Sequence, residues 1–438
     1  MNTNHTKQNS AKNHYNTTKL SDSIINTDQI TDPANHKISL LITKSSSDYL
    51  ENITHYSAAT NRQLQPHQYA DLIHSSGIAT LAMPEIKNWF SSKPDDQPVD
   101  KFKLSGLHSF LSLFLNNPMA FGARPFVDQM YLTIDVTQKE LKRLSEMHLK
   151  QLPEPFKLLK SGRASPETIK NYQDVYQRFA FIGAGNEDKI AIFWGIHPKV
   201  LAARPKQRLL KVTINPARYT ESELQTFFCW LKDSIGVNAK KKLLNAYVTR
   251  LDIALDIVGL HLPELIVNQA GCTEYYYWPN ESSDDEVVGT QRLGEPNSGH
   301  FRAYNKLQKL LDVGPIRIPI LSFKKAPFQP MQITRLERVR KPHDTGGLTL
   351  GQIWFKAQYF LKGTTIYCPR ILLKLSEKQQ KKVRKYGFMY WFSKLGGNSV
   401  ISVQDLEPFL LNINHKLLEA EQRKVLRRLK NVIFSAWS

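Results

Sequence analysis

Three short stretches carry side chains able to do chemistry on a phosphate. In YVTRLDIALDI (247–257), a two-residue period puts Thr249, Leu251, Ile253, Leu255 and Ile257 on one side of an extended chain. Val248, Arg250, Asp252, Ala254 and Asp256 fall on the other. In HFRAYNK the same period joins His300, Arg302, Tyr304 and Lys306, and in QITRLERV it joins Arg335 and Glu337 with Ile333 and Val339. If these strands are neighbours, one sheet face gathers the set that phosphodiester transesterification requires. Asp252, Asp256 and Glu337 with His300 would ligate Mg²⁺ or Mn²⁺, which polarises the scissile phosphate. Arg250, Arg302, Lys306 and Arg335 would neutralise its non-bridging oxygens. Tyr304 offers a hydroxyl nucleophile, activated by a nearby cation and able to conserve bond energy as a phosphotyrosyl link.

Blander readings exist for each group. The Asp252/Asp256 pair also fits the solvated face of an amphipathic strand, salt-bridged to Arg250 or Arg335. A tyrosine in a strand usually packs, and a lone histidine is usually a surface residue. Charge favours the chemical reading. Among 438 residues, 59 Lys and Arg stand against 39 Asp and Glu, a formal net charge of +20. Such an excess points to a polyanionic partner, above all nucleic acid.

The motifs VTRLDIALD, FRAYNK and ITRLERV, in that order, resemble the replication initiation factor family: rolling-circle initiators of plasmids and filamentous phages, with related relaxases of conjugative elements. Thr249, Arg250, Asp252, Ala254 and Asp256 match its first strand, Tyr304, Asn305 and Lys306 its Y-[ND]-K motif, and Arg335 with Glu337 its R-x-E strand. KVTINPARY resembles a further strand of phage members, and the likeness spans roughly 205–345. It implies a metal-dependent nicking enzyme that keeps the 5′ phosphate on a tyrosine and frees a 3′ hydroxyl. The partners implied are origin DNA, a host polymerase and a host helicase. A conjugative relaxase of the same chemistry and a non-catalytic DNA-binding regulator on the same fold remain alternatives.

The chain departs from that pattern at Arg292, which stands where many members carry a Tyr-x-Gly-Ser tyrosine. Were that tyrosine the nucleophile, Tyr304 would be structural. Tyr275, Tyr276 and Tyr277 would then be substitutes, or base-stacking or packing residues. None of the 13 histidines forms His-x-His, which excludes the two-histidine nickases. No GxxxxGK[ST] occurs, so unwinding would be borrowed.

Around these motifs the sequence predicts an α+β fold, a mainly antiparallel sheet with helices on one face, followed by a basic helical C-terminal region. Expected segments are a polar, disordered extension at 1–60 and a helical region at 61–125, either an ordinary hairpin or a DNA-binding one at 64–92. The nicking domain spans 126–345 and basic helices fill 346–438. Thr137 with Glu140 reads as a capping box, and Gly236 as the end of a helix from 221. In the tail, Lys381, Lys382, Arg384, Lys385, Arg423, Arg427 and Arg428 would hold duplex DNA by its backbone, each contact steepening the salt dependence. Three scattered cysteines exclude a disulfide framework or cysteine zinc site. Without a signal-peptide core or an apolar run of membrane-spanning length, a cytoplasmic protein with no membrane partner is expected. A homodimer is allowed by the sequence but not specified by it.

Overall fold

The computed structural model describes most of residues 108–435, though not 307–332 nor shorter stretches such as 166–174, 280–286 and 342–346. The expected extension at 1–60 and the hairpin at 64–92 lie outside the described residues.

The centre of the fold is an antiparallel sheet of ten strands. In chain order they are β1 (Phe126–Ile134), β2 (Phe156–Arg163), β3 (Tyr176–Ala184), β4 (Lys189–Ile196), β5 (Leu210–Ile214) and β6 (Tyr247–Val258). After β7 (Ile266–Gln269), which pairs separately with β12 (Thr364–Tyr367), come β8 (Tyr275–Pro279), β9 (Val288–Leu293), β10 (His300–Asn305) and β11 (Ile333–Arg340). The spatial order is β2-β3-β4-β5-β1-β6-β11-β10-β9-β8. The three motif strands are therefore adjacent as β6, β11 and β10, although about 30 residues or more separate each in sequence.

Register explains how one face becomes core. Ile192 of β4, Val212 of β5, Leu132 of β1 and Val248 of β6 fall in line across the strands, as do Leu255, Leu336 and Ala303. All are buried in one apolar cluster, so the expected helix-covered face is present. Two irregularities matter. In the β1–β6 pairing the register slips at Thr249, which leaves Arg250 opposite Tyr131 and Val248 opposite Leu132. Strict alternation put Val248 with the polar set. The bulge instead turns it into the core, 1% exposed. A second slip, between Val127 and Gln129, sets Asp128 apart from the regular alternation.

Helices close the apolar face. In α1 (Gln138–Glu146), Thr137 accepts from the Glu140 amide and Glu140 accepts in return from the Thr137 amide, the capping box read from sequence. A second box, Thr220 with Glu223, starts α2 (Glu221–Ile235), whose Leu224, Phe227, Phe228 and Leu231 are buried. It ends at Gly236, at φ +77°, where the Arg143 guanidinium fills the space a Cβ would need. The basic stretch 377–394 forms two helices, α3 (Glu377–Tyr386) and α4 (Phe388–Lys394). Gly387 separates them at φ +80°, with the Gln291 side chain 2.8 Å from where a Cβ would stand. Last comes α5 (His415–Ser435), which packs on α2 and near β1. Side chains from both sides of residue 345 enter the same apolar cluster. Among the described residues no helix is long and apolar enough to cross a membrane.

Candidate functional site

The other face of the sheet carries the chemistry, in rows set by the register. One row runs Ala254, Glu337, Arg302, Arg292 and Tyr276 across β6, β11, β10, β9 and β8. The next runs Asp256, Arg335, Tyr304, Thr290 and Trp278. A third holds Asp252, Val339 and His300, with Val339 between the two polar residues. The polar side chains foreseen on three separate strands thus share one face.

They meet as a connected network of ion pairs. Arg250 grips Asp252 with Nε at 2.9 Å from Oδ1 and an Nη at 2.6 Å from Oδ2, and donates from its other Nη to the Tyr131 hydroxyl at 3.2 Å. Arg302 donates to Glu337 Oε1 and lies 4.0 Å from Asp252. The Tyr304 hydroxyl donates to Glu337 Oε2 at 2.9 Å. Arg335 forks onto both oxygens of Asp256, at 2.6 and 2.7 Å, and reaches Asp128 at 2.8 Å. Asp252, Arg335 and Glu337 are wholly buried and Tyr304 is 2% exposed. Charges so deep persist only when paired and hydrogen-bonded, as they are here.

Burial sets the electrostatics. It pushes Asp252 up to about 7, against the pull of Arg250, with the nearby Glu337 carboxylate adding to the rise. Burial also raises the Tyr304 hydroxyl well above the usual phenol range; Glu337 adds to the rise, and Arg335 and Arg302 oppose it. For Arg302, burial disfavours the cation but Glu337, Tyr304 and Asp252 more than offset it, so its pKa rises. The Arg335 cation is favoured in the same way by Asp256, Tyr304 and Asp128.

The metal reading meets a specific obstacle. Every carboxylate oxygen of Asp252, Asp256 and Glu337 accepts a hydrogen bond from an arginine or from Tyr304. His300 is buried at the start of β10, beyond Val339 from Asp252. Among the described residues no three His, Cys, Asp or Glu side chains cluster as metal ligands would. As arranged, the donor set does not fit a divalent cation, because guanidinium groups occupy the positions it would take.

Other foreseen residues fall elsewhere. Lys306 is buried just past the end of β10. The tyrosine run is split by the strand period: Tyr277 packs edge-on to Tyr386 and Tyr390 on the helical side. Tyr275 bonds Asn268 and the Cys272 carbonyl, whereas Tyr276 joins the polar face. In the basic helices, Lys381 and Lys382 of α3 are exposed, while Arg384 and Lys385 are half-buried. On α5, Arg423 pairs with Glu419 at 2.6 Å, Arg428 with Glu221, and Arg427 lies 4.5 Å over the Trp354 ring. A cavity of about 390 Å³ opens there between α2 and α5, lined by Lys424, Arg427, Arg428 and Glu221 among others. None of the carboxylate set lines it.

Sequence reading missed Asp128 and Tyr131, both from β1. Asp128 stands 207 positions from Arg335, and only its being an acidic residue inside an apolar strand hinted at a buried partner. It also missed Arg338, which points to the opposite face and donates from Nε to the Phe360 carbonyl at 3.0 Å.

No protein-family model matches the chain, and no curated protein matches it.

Proposed function

We propose that this chain initiates rolling-circle replication by nicking one DNA strand at a replicon origin. One observation carries the reading: the strands bearing the three family-like motifs are adjacent, with the motif side chains on one face. In the reaction proposed, the Tyr304 oxygen attacks phosphorus and its proton passes to Glu337, the hydroxyl's partner at 2.9 Å. The P–O3′ bond breaks as the phosphotyrosyl bond forms, and the departing 3′ oxygen takes a proton from water. Arg302 and Arg250 lie at the rim of the network, 23% and 21% exposed, where they would stabilise the phosphate oxygens. No step is routed through Mg²⁺ or Mn²⁺, given the arginine-filled donor set. A host polymerase would extend the 3′ hydroxyl and a host helicase would unwind ahead of it. The exposed lysines of α3 would hold duplex DNA. A conjugative relaxase would use the same chemistry on a transfer origin.

A second reading, a non-catalytic DNA-binding protein on this fold, is favoured by one observation: Tyr304 is almost fully buried, with its hydroxyl well above the ordinary phenol pKa. Its nucleophile would have to be uncovered before it could react. The two readings separate on supercoiled replicon DNA incubated with the protein and with Tyr304→Phe, each with Mg²⁺, with Mn²⁺ and with chelator. Nicked circles that Tyr304→Phe does not produce support the nicking reading, and nicking that survives chelation assigns the metal's role to the arginines. Tight origin binding with no nicking under any condition leaves the binding protein.

A further inference from the structure

We propose that Arg292 and Arg302 form a phosphate subsite for single-stranded DNA, with Trp278 as a base-stacking ring beside it. The inference rests on the DNA-nicking reading above and deepens it, by assigning a place where the strand lies next to Tyr304.

Three observations converge on these residues. First, Arg292 of β9 stands directly opposite Arg302 of β10. Like charges directly across antiparallel strands repel, and an anion between them removes the repulsion. Second, the Arg292 side chain makes no hydrogen bond or ion pair among the described residues, and Glu295 is the acidic group whose charge acts on it. Its Nε is buried without a partner, and so is the Nε of Arg302. Third, the Arg292 guanidinium is held by rings rather than by carboxylates, with its carbon 4.4 Å from the Tyr276 centroid and 4.5 Å from that of Trp278. The two rings are stacked, 6.5 Å apart and 25° from parallel. Stacking fixes the plane of the guanidinium and leaves its N–H fork unspent, the arrangement that suits a phosphate.

The surroundings indicate a single strand. Trp278 is 42% exposed at the edge of the sheet, and a base can stack on such a ring only when it is not paired and stacked in a duplex. Trp278, Thr290 and Tyr304 lie in one row. Two interstrand spacings, roughly 10 Å, therefore separate the stacking ring from the proposed nucleophile. A phosphate on Arg292 and Arg302 would be a near neighbour of the one attacked.

The test is binding of a fluorescent oligo(dT) and of a duplex of equal length across a salt series, with the full chain and its Arg292→Ala, Arg292→Lys and Trp278→Ala variants. Arg292→Ala should weaken oligo(dT) binding about tenfold and lower the salt slope by about 0.7. Arg292→Lys should keep the slope and recover only part of the affinity. Trp278→Ala should lose about tenfold without changing the slope. Unchanged affinity and slope in Arg292→Ala, or equal losses on duplex and single strand, would overturn the subsite. Should Arg292→Ala fail to fold, Trp278→Ala carries the test, and oligo(dT) affinity equal to that of the unaltered chain overturns the proposal. Covalent adducts are scored separately. Their absence with the Arg292 effect intact sinks the nicking reading alone; adducts with no Arg292 effect sink the subsite alone.

Discussion

The polar face of the sheet has a closed centre and an open flank, built from the same residue types. At the centre, on β6, β11 and β10, each arginine faces carboxylates, and Arg335, Asp252 and Glu337 are wholly buried. On the flank, β9 and β8 place Arg292 against Tyr276 and Trp278. The difference lies in what completes each arginine. The Arg335 guanidinium, wholly buried between Asp128 and Asp256, is a structural element, whose removal strands buried charge. A guanidinium held by aromatic rings keeps its hydrogen-bonding capacity for a ligand. Arg302 stands at the border, bonded to Glu337 on one side and opposite Arg292 on the other.

The contrast is sharpest for Arg335. Arg335→Ala leaves Asp128 and Asp256 without their shared cation and should cost about 3–5 kcal/mol of stability in chemical denaturation. A loss as small as that of a surface variant would mean the centre is not closed. The next effect is a pH dependence. The Asp252 pKa is raised on folding from the ordinary 3.8 to about 7, so the native state holds this proton more tightly than the unfolded chain. Full stability from this group is present below 3.8 and declines as pH rises through about 7, by on the order of 4 kcal/mol. Denaturation between pH 4 and 8 should show this fall, flattened in Asp252→Asn; the absence of a fall over the same window in the unaltered chain would show Asp252 to be ionised throughout.

Tyr304→Phe removes one hydrogen bond to a buried carboxylate and should cost about 1–2 kcal/mol, read from the denaturation midpoint. On the flank, Arg292→Ala loses its ring contacts but also the repulsion from Arg302, and its stability should change by less than about 1 kcal/mol. Were Arg292→Ala to destabilise the protein as much as Arg335→Ala, the distinction between centre and flank would fail.

Much of this face was legible in the sequence, because the two-residue period of a strand places side chains without knowledge of the fold. Asp252, Asp256, Arg302, Tyr304, Arg335 and Glu337 share a face as that period required. What the period cannot carry is register irregularity. The slip at Thr249 turned Val248 inward, and Asp128 came to Arg335 from a strand far away in sequence. Pairing was legible in part: Arg250 and Arg335 were the expected salt-bridge partners of Asp252 and Asp256, and both pairs form, whereas the hold of Arg302 and Tyr304 on Glu337 depends on the strand order. The tail shows the same limit: its basic residues were evident, whereas the partners of Arg423, Arg427 and Arg428 are set by helix packing.

The proposed role of Tyr304 as the residue that takes up the DNA is checked by trapping the protein on a replicon-origin strand, digesting with protease and identifying the nucleotide-linked peptide by mass spectrometry. A single linked peptide that contains Tyr304 is expected. A link on Tyr276 or another tyrosine, or no linked peptide from DNA that the protein demonstrably binds, would contradict it.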